Sequence, residues 1–86
     1  MTRVLLFGRL KSLVSTGEIS VPLNAEMPPQ RLREVVAEEL SRRCPGFAGV
    51  QELASSAVAN ESRILSEREP IGEGREFSLL PPVCGG

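Results

Sequence analysis

One helical stripe sets the terms on which this chain can fold. In "NAEMPPQRLREVVAEELSRRCPG" apolar side chains recur at Leu32, Val35, Val36 and Leu40. That is the i, i+3, i+4, i+8 spacing of a single buried face on a helix. Pro28 and Pro29 stand at its start, where a missing N–H costs nothing, and Pro45 and Gly46 close the far end. Glu34, Glu38 and Glu39 alternate with Arg31, Arg42 and Arg43 on the side the spacing predicts as solvated. Glu38 stands four residues ahead of Arg42, the favourable order for an ion pair. Arg42 and Arg43 also complement the negative end of the helix dipole. A helix with one apolar face must lay that face on a partner layer, and the other apolar runs in the chain are β-prone. The expected architecture is therefore a two-layer α+β domain, with the helix covering one face of a mixed sheet.

The strands are read from their alternation. "TRVLLFG" is a compact apolar run ending at Gly8 and fits a buried first strand. In "RLKSLVSTG", Leu10, Leu13 and Val14 have helical spacing and predict a short helical turn before Gly17. "EISVPL" puts Ile19, Val21 and Leu23 on one face and Ser20 and Pro22 on the other. Pro22 cannot donate to a ladder, so this strand belongs at an edge or leaves that position unpaired. "FAGVQELA" fits a helical turn or a loop packed through Phe47, Val50 and Leu53. "SAVANESRIL" reads as two short strands about Asn60-Glu61, and "EREPIGEGRE" as a loop. "EFSLLPPV" is the last strand, with Phe77 and Leu79 on one face, stopped by Pro81 and Pro82. The order is β-β-α-β-β-β. The first and last strands are the most apolar and are expected side by side at the sheet centre. If they run parallel, the C-terminal segment leaves the far end of the sheet as an arm. The folded domain is then 1–80 and the arm 81–86.

Composition narrows the function. The 86 residues allow one domain. Net charge is −1 and aromatics are 3%, with no Trp or Tyr, so neither phosphate neutralisation nor base stacking is provided for, and nucleic acid is not an expected partner. No apolar run approaches the length of a membrane span, and the start "MTRVLLFGRLKSLV" lacks a cleavage site and reads as a strand. There is no His, and Cys44 and Cys84 lie far apart. No metal site is therefore expected, and both cysteines are read as thiols in a reducing cytoplasm.

The segment "PPVCGG" carries the chemistry. Pro81 and Pro82 fix φ and hold the arm extended, and Gly85 and Gly86 have no side chains, so they fit a narrow channel. The Gly86 carboxylate is sterically open, as an adenylating enzyme requires of a group it turns into an acyl adenylate. Once activated, that carbonyl accepts a persulfide sulfur or an amine. The domain is then a carrier, non-catalytic alone, whose reactive atom is its own last carbonyl. The competing reading is an interaction module whose Gly-Gly has no chemistry.

"VLLFGRLKSLVSTGE", "LREVVAEEL", "AVANESRI", "PIGEGREFSLLPP" and "PPVCGG" together resemble the small subunit of molybdopterin synthase, a sulfur carrier of the ubiquitin-like β-grasp fold. The resemblance implies a cycle. A ubiquitin-activating-type enzyme adenylates Gly86 with ATP, a sulfur donor leaves a thiocarboxylate, and the arm enters the synthase large subunit. There sulfur passes to cyclic pyranopterin monophosphate to build the molybdopterin dithiolene. It also implies a heterotetramer with two large subunits and no cofactor bound by this chain. Pro81, Pro82, Val83, Cys84 and Gly85 would thread the partner's active site, and Phe7 and Leu80 match positions by which the family docks partners. Arg9 and Arg75 are candidate rim charges, and Lys11 needs no chemical role. Cys84 departs from the small or hydroxyl residue common before Gly-Gly, and Arg75 replaces an acidic residue in the "GEGRE" turn. Related carriers for thiamine or cysteine biosynthesis, or a ubiquitin-like protein modifier, share the terminus and differ in the acceptor.

Overall fold

The computed structural model describes residues 1–14, 16–46 and 50–81. Among them, four strands form one mixed sheet: β1 (Thr2–Leu6), β2 (Glu18–Val21), β3 (Ala57–Ala59) and β4 (Glu76–Leu80), in the order β2-β1-β4-β3. β1 pairs antiparallel with β2, with Val4 opposite Ile19. It pairs parallel with β4, with Val4 beside Phe77 and Leu6 beside Leu79. β3 closes the other edge antiparallel to β4, with Val58 opposite Leu79. The two most apolar strands are thus central, as expected, and they run parallel. Pro22 follows an edge strand, where its missing donor breaks no ladder.

The long helix α1 spans Pro29–Arg43 and buries Pro29, Leu32, Val36 and Leu40; Val35 is half-buried. Its entry is fixed by extended Pro28 (φ −77°, ψ 161°), whose carbonyl accepts from the N–H groups of Arg31 (3.0 Å) and Leu32 (3.2 Å). Asn24 Oδ1 accepts the Glu26 N–H at 2.8 Å, an Asx turn that bends the chain toward the helix. The buried face meets the inward residues of all four strands: Val4 and Leu6, Ile19 and Val21, Val58, Phe77 and Leu79. Leu10 enters the same core from a 3₁₀ segment, Gly8–Leu13, where a short helical turn was expected.

Two expectations are corrected and one open reading is decided. The second arm of the "SAVANESRIL" hairpin contributes one bridge, Ala59 to Ile64, and no strand. Asn60 Oδ1 accepts the N–H groups of Ser62 (2.7 Å) and Arg63 (2.8 Å), and this side-chain turn replaces further ladder bonds. The ambiguous "FAGVQELA" stretch contains a short helix α2, Val50–Ala54, that buries Leu53; Phe47 lies outside the described residues. On α1, Glu38 pairs with Arg31, which also meets Glu34, while Glu39 takes both Arg42 and Arg43. Arg31 and Glu38 are two turns apart on one face, so a long guanidinium spans them.

The polar tie that matters most to the layers was not anticipated. The Arg33 side chain on α1 is only 12% exposed. Its guanidinium grips both Glu67 oxygens at 2.6 and 2.9 Å and donates to the Ser56 carbonyl at 3.3 Å. This forked contact fastens the loop after Leu65 and the end of α2 to the helix, and it holds the Glu67 carboxyl below the usual range.

Candidate functional site

Alternation along the strands gives the sheet a second face, pointing away from α1. With Leu6 and Leu79 buried toward the helix, Leu5 and Ser78 turn outward side by side. One residue further, the same parallel register brings Phe7 alongside Leu80. Across β4, Leu80 lies opposite Ala57 and Ser78 opposite Ala59. No described helix lies along this face, since α2 packs beside α1 and the 3₁₀ segment sends Leu10 inward.

The outer face is divided. At the start of the central strands Arg3 reaches Glu76 (2.8 Å) and Glu18 (3.4 Å), a charged cross-strand pair on each side. These pairs are largely solvated and add little stability. At the other end the surface is apolar: Phe7 is 43% exposed, and Leu80 and Pro81 are half-buried. Ile64 is 60% exposed, and the bridge to Ala59 sets it on the same side, extending this surface past β3. Ile64 was not singled out from sequence, because which way it faces is set by the Ala59 bridge and not by its neighbours in the chain.

Phe7 and Leu80, singled out from sequence, therefore come together at the end where the chain leaves β4. Phe7 is pinned through its backbone: its N–H donates to the Leu79 carbonyl (3.2 Å), and its own carbonyl accepts the Leu10 N–H (3.1 Å). Pro81 packs against Gly8 at this corner. Pro82, Val83, Cys84, Gly85 and Gly86 lie outside the described residues, as does the Arg9 side chain. Arg75 lies at the opposite end, where its carbonyl accepts the Arg3 N–H at 3.4 Å. That places it away from Phe7 and Leu80. Among the described residues no helix is long and apolar enough to cross a membrane.

The chain matches no family model. It is 27% identical over 84 residues to the molybdopterin synthase sulfur carrier subunit of Caenorhabditis briggsae, spanning 98% of this chain and 95% of that protein. The structure superposes on SAMP1 of Haloferax volcanii with a TM-score of 0.63 at 19% identity, over 99% of this chain and 98% of that one. It also superposes on a chain of the subunit 1 and 2 complex of the Helicobacter pylori molybdopterin-converting factor, with a TM-score of 0.52 at 26% identity, over 99% and 97%. The chain has the ubiquitin-like β-grasp fold, and along nearly its whole length its sequence is similar to a molybdopterin synthase sulfur carrier subunit.

Proposed function

We propose that this domain is the sulfur carrier of a molybdopterin synthase, presenting the Gly86 carboxylate on an arm that leaves the sheet beside Phe7 and Leu80. The observation that carries the reading is the end-to-end likeness to the Caenorhabditis briggsae carrier subunit. The parallel pairing of β1 and β4 supports it, because it directs the chain out of the sheet at the apolar corner. A carboxylate oxygen of Gly86 attacks the α-phosphorus of ATP on an adenylating enzyme, and pyrophosphate leaves. Sulfide-level sulfur from a donor then attacks the acyl carbonyl, the acyl–phosphate bond breaks, AMP leaves and a thiocarboxylate remains. In the large subunit that sulfur passes to cyclic pyranopterin monophosphate, and water breaks the acyl–sulfur bond to regenerate the Gly86 carboxylate. The helicobacterial relative, which is part of a complex of subunits 1 and 2, supports a large-subunit partner, and two copies of each chain complete the assembly. ATP is bound by the activating enzyme, and the carrier works in the reducing cytoplasm.

The test is the intact mass of the protein after incubation with ATP, an activating enzyme and a sulfur donor. The expected result is one oxygen replaced by one sulfur, localised to the C-terminal peptide. Deleting Gly86 abolishes the shift and leaves the melting temperature unchanged, because among the described residues the last one in the core is Leu79. An unmodified Gly86 beside a competent activating enzyme refutes the carrier reading. A modified Gly86 that does not supply a pterin acceptor points to thiamine, cysteine or protein conjugation instead.

A further inference from the structure

Gly8, Gly17, Gly46 and Gly72 adopt positive φ, at +60°, +74°, +84° and +78°. At Gly46 and Gly72 an added Cβ would meet nothing within 4 Å, and at Gly17 it would meet only the flexible stem of Lys11, no closer than 3.3 Å. Gly8 is different. A Cβ there would stand 2.6 Å from Cγ of Pro81 and 3.4 Å from its Cδ. Carbon atoms attract best at about 3.5–4.0 Å, so the nearer contact is strongly repulsive. The Pro81 ring is closed onto its own backbone nitrogen and cannot swing aside as a lysine stem does. Relief requires the backbone of Pro81 to move.

The surroundings decide which partner yields. Gly8 follows Phe7, whose N–H is bonded to Leu79, and precedes Leu10, which is fully buried. The Leu6 N–H is bonded to the Gly17 carbonyl at 2.9 Å, which closes the loop around the 3₁₀ segment. Pro81 stands just past Leu80, the last residue of β4 with a ladder partner.

We propose that Gly8 is the positioning residue of the C-terminal arm: its missing side chain is the notch that seats the Pro81 ring, and the notch sets the direction in which the chain leaves β4. The consequence for activity rests on the carrier reading above, whereas the geometric claim does not. The direction taken at Pro81 governs where the Gly86 carboxylate is presented, and a misplacement of about 1 Å at a reacting centre lowers rates by up to about 100-fold.

The test compares Gly8→Asn with Gly72→Ala. Asn tolerates left-handed φ, so the turn survives while a Cβ meets Pro81. Gly72→Ala imposes backbone strain at least as large, with nothing nearby. Both are also made with Pro81→Ala, which removes Cγ and Cδ and leaves only the Cβ contact at 3.6 Å. Pulsed electron spin resonance reads the distance between nitroxides on Cys84 and on Ser41→Cys in α1, in a Cys44→Ser background. Steady-state adenylation of Gly86 is measured on the same variants without labels. Gly8→Asn should shift the mean distance by at least about 1 Å and lower kcat about tenfold. Both effects should vanish when the comparison is made within Pro81→Ala, and Gly72→Ala should show neither. A folded Gly8→Asn protein with the wild-type distance distribution overturns the proposal. A shifted distance with unchanged kcat overturns the link to activity. Failure of wild-type Gly86 to be adenylated overturns the carrier reading and leaves the distance measurement as the test of the notch.

Discussion

Replacing Phe7 with alanine separates the docking role of the open face from its structural role. Phe7 keeps 43% of its surface exposed in the free domain. A phenylalanine buries about 200 Å² when fully covered, so roughly 85 Å² remains for a partner to cover. At about 25 cal/mol per Å² that is about 2 kcal/mol of association free energy. The expected effect is a dissociation constant for the large subunit raised about 30-fold, mostly through faster dissociation. Titration calorimetry with the purified large subunit measures it. Urea unfolding of the variant is recorded alongside, because the covered part of the ring also contributes to stability. The measurement is made where both proteins are fully folded. An affinity within twofold of wild type, in a folded Phe7→Ala protein, refutes the argument that the partner covers this corner of the sheet.

Two further outcomes follow from the core and the ion pairs. Leu79 is fully buried in a central strand beneath α1, so Leu79→Ala should cost about 2–5 kcal/mol in urea unfolding; a loss below about 1 kcal/mol would contradict the packing described. The carboxyls of Glu39, Glu67 and Glu69 are held low by hydrogen bonds from Arg43, Arg33 and Arg63 respectively. Their native pKa values lie below the unfolded ones, so the native state binds fewer protons. The stabilisation is complete above the unfolded glutamate value of about 4.3 and is lost as pH falls through the native values. Arg33→Met should flatten that acid limb, as read from melting temperature against pH; an unchanged slope would rule out a contribution from the Arg33–Glu67 contact.

What was legible in the sequence was what neighbours along the chain decide. Leu32, Val36 and Leu40 form a stripe because a helix repeats every 3.6 residues. Ile19 and Val21, or Phe77 and Leu79, face one way because a strand repeats every two. The central placement of β1 and β4 followed from their apolarity, since a strand with neighbours on both sides loses most contact with water. The hairpin after β3 was misjudged because the Asn60 side chain competes locally with a ladder, and periodicity does not register that competition. Glu38 found Arg31 instead of Arg42 because long side chains on one helix face have several partners of similar spacing.

The sequence by itself determined the long helix, four strands and the buried stripe, because each is set by backbone geometry and side-chain type over a few residues. Tertiary structure alone decided that Phe7, Leu80 and Ile64 share one outward surface, that Arg33 grips Glu67 across 34 positions, and that Gly8 makes room for Pro81. These depend on register and on how strands distant in the chain are laid side by side. A shift of one residue in the register of β4 would turn Leu80 to the other face and break up that surface.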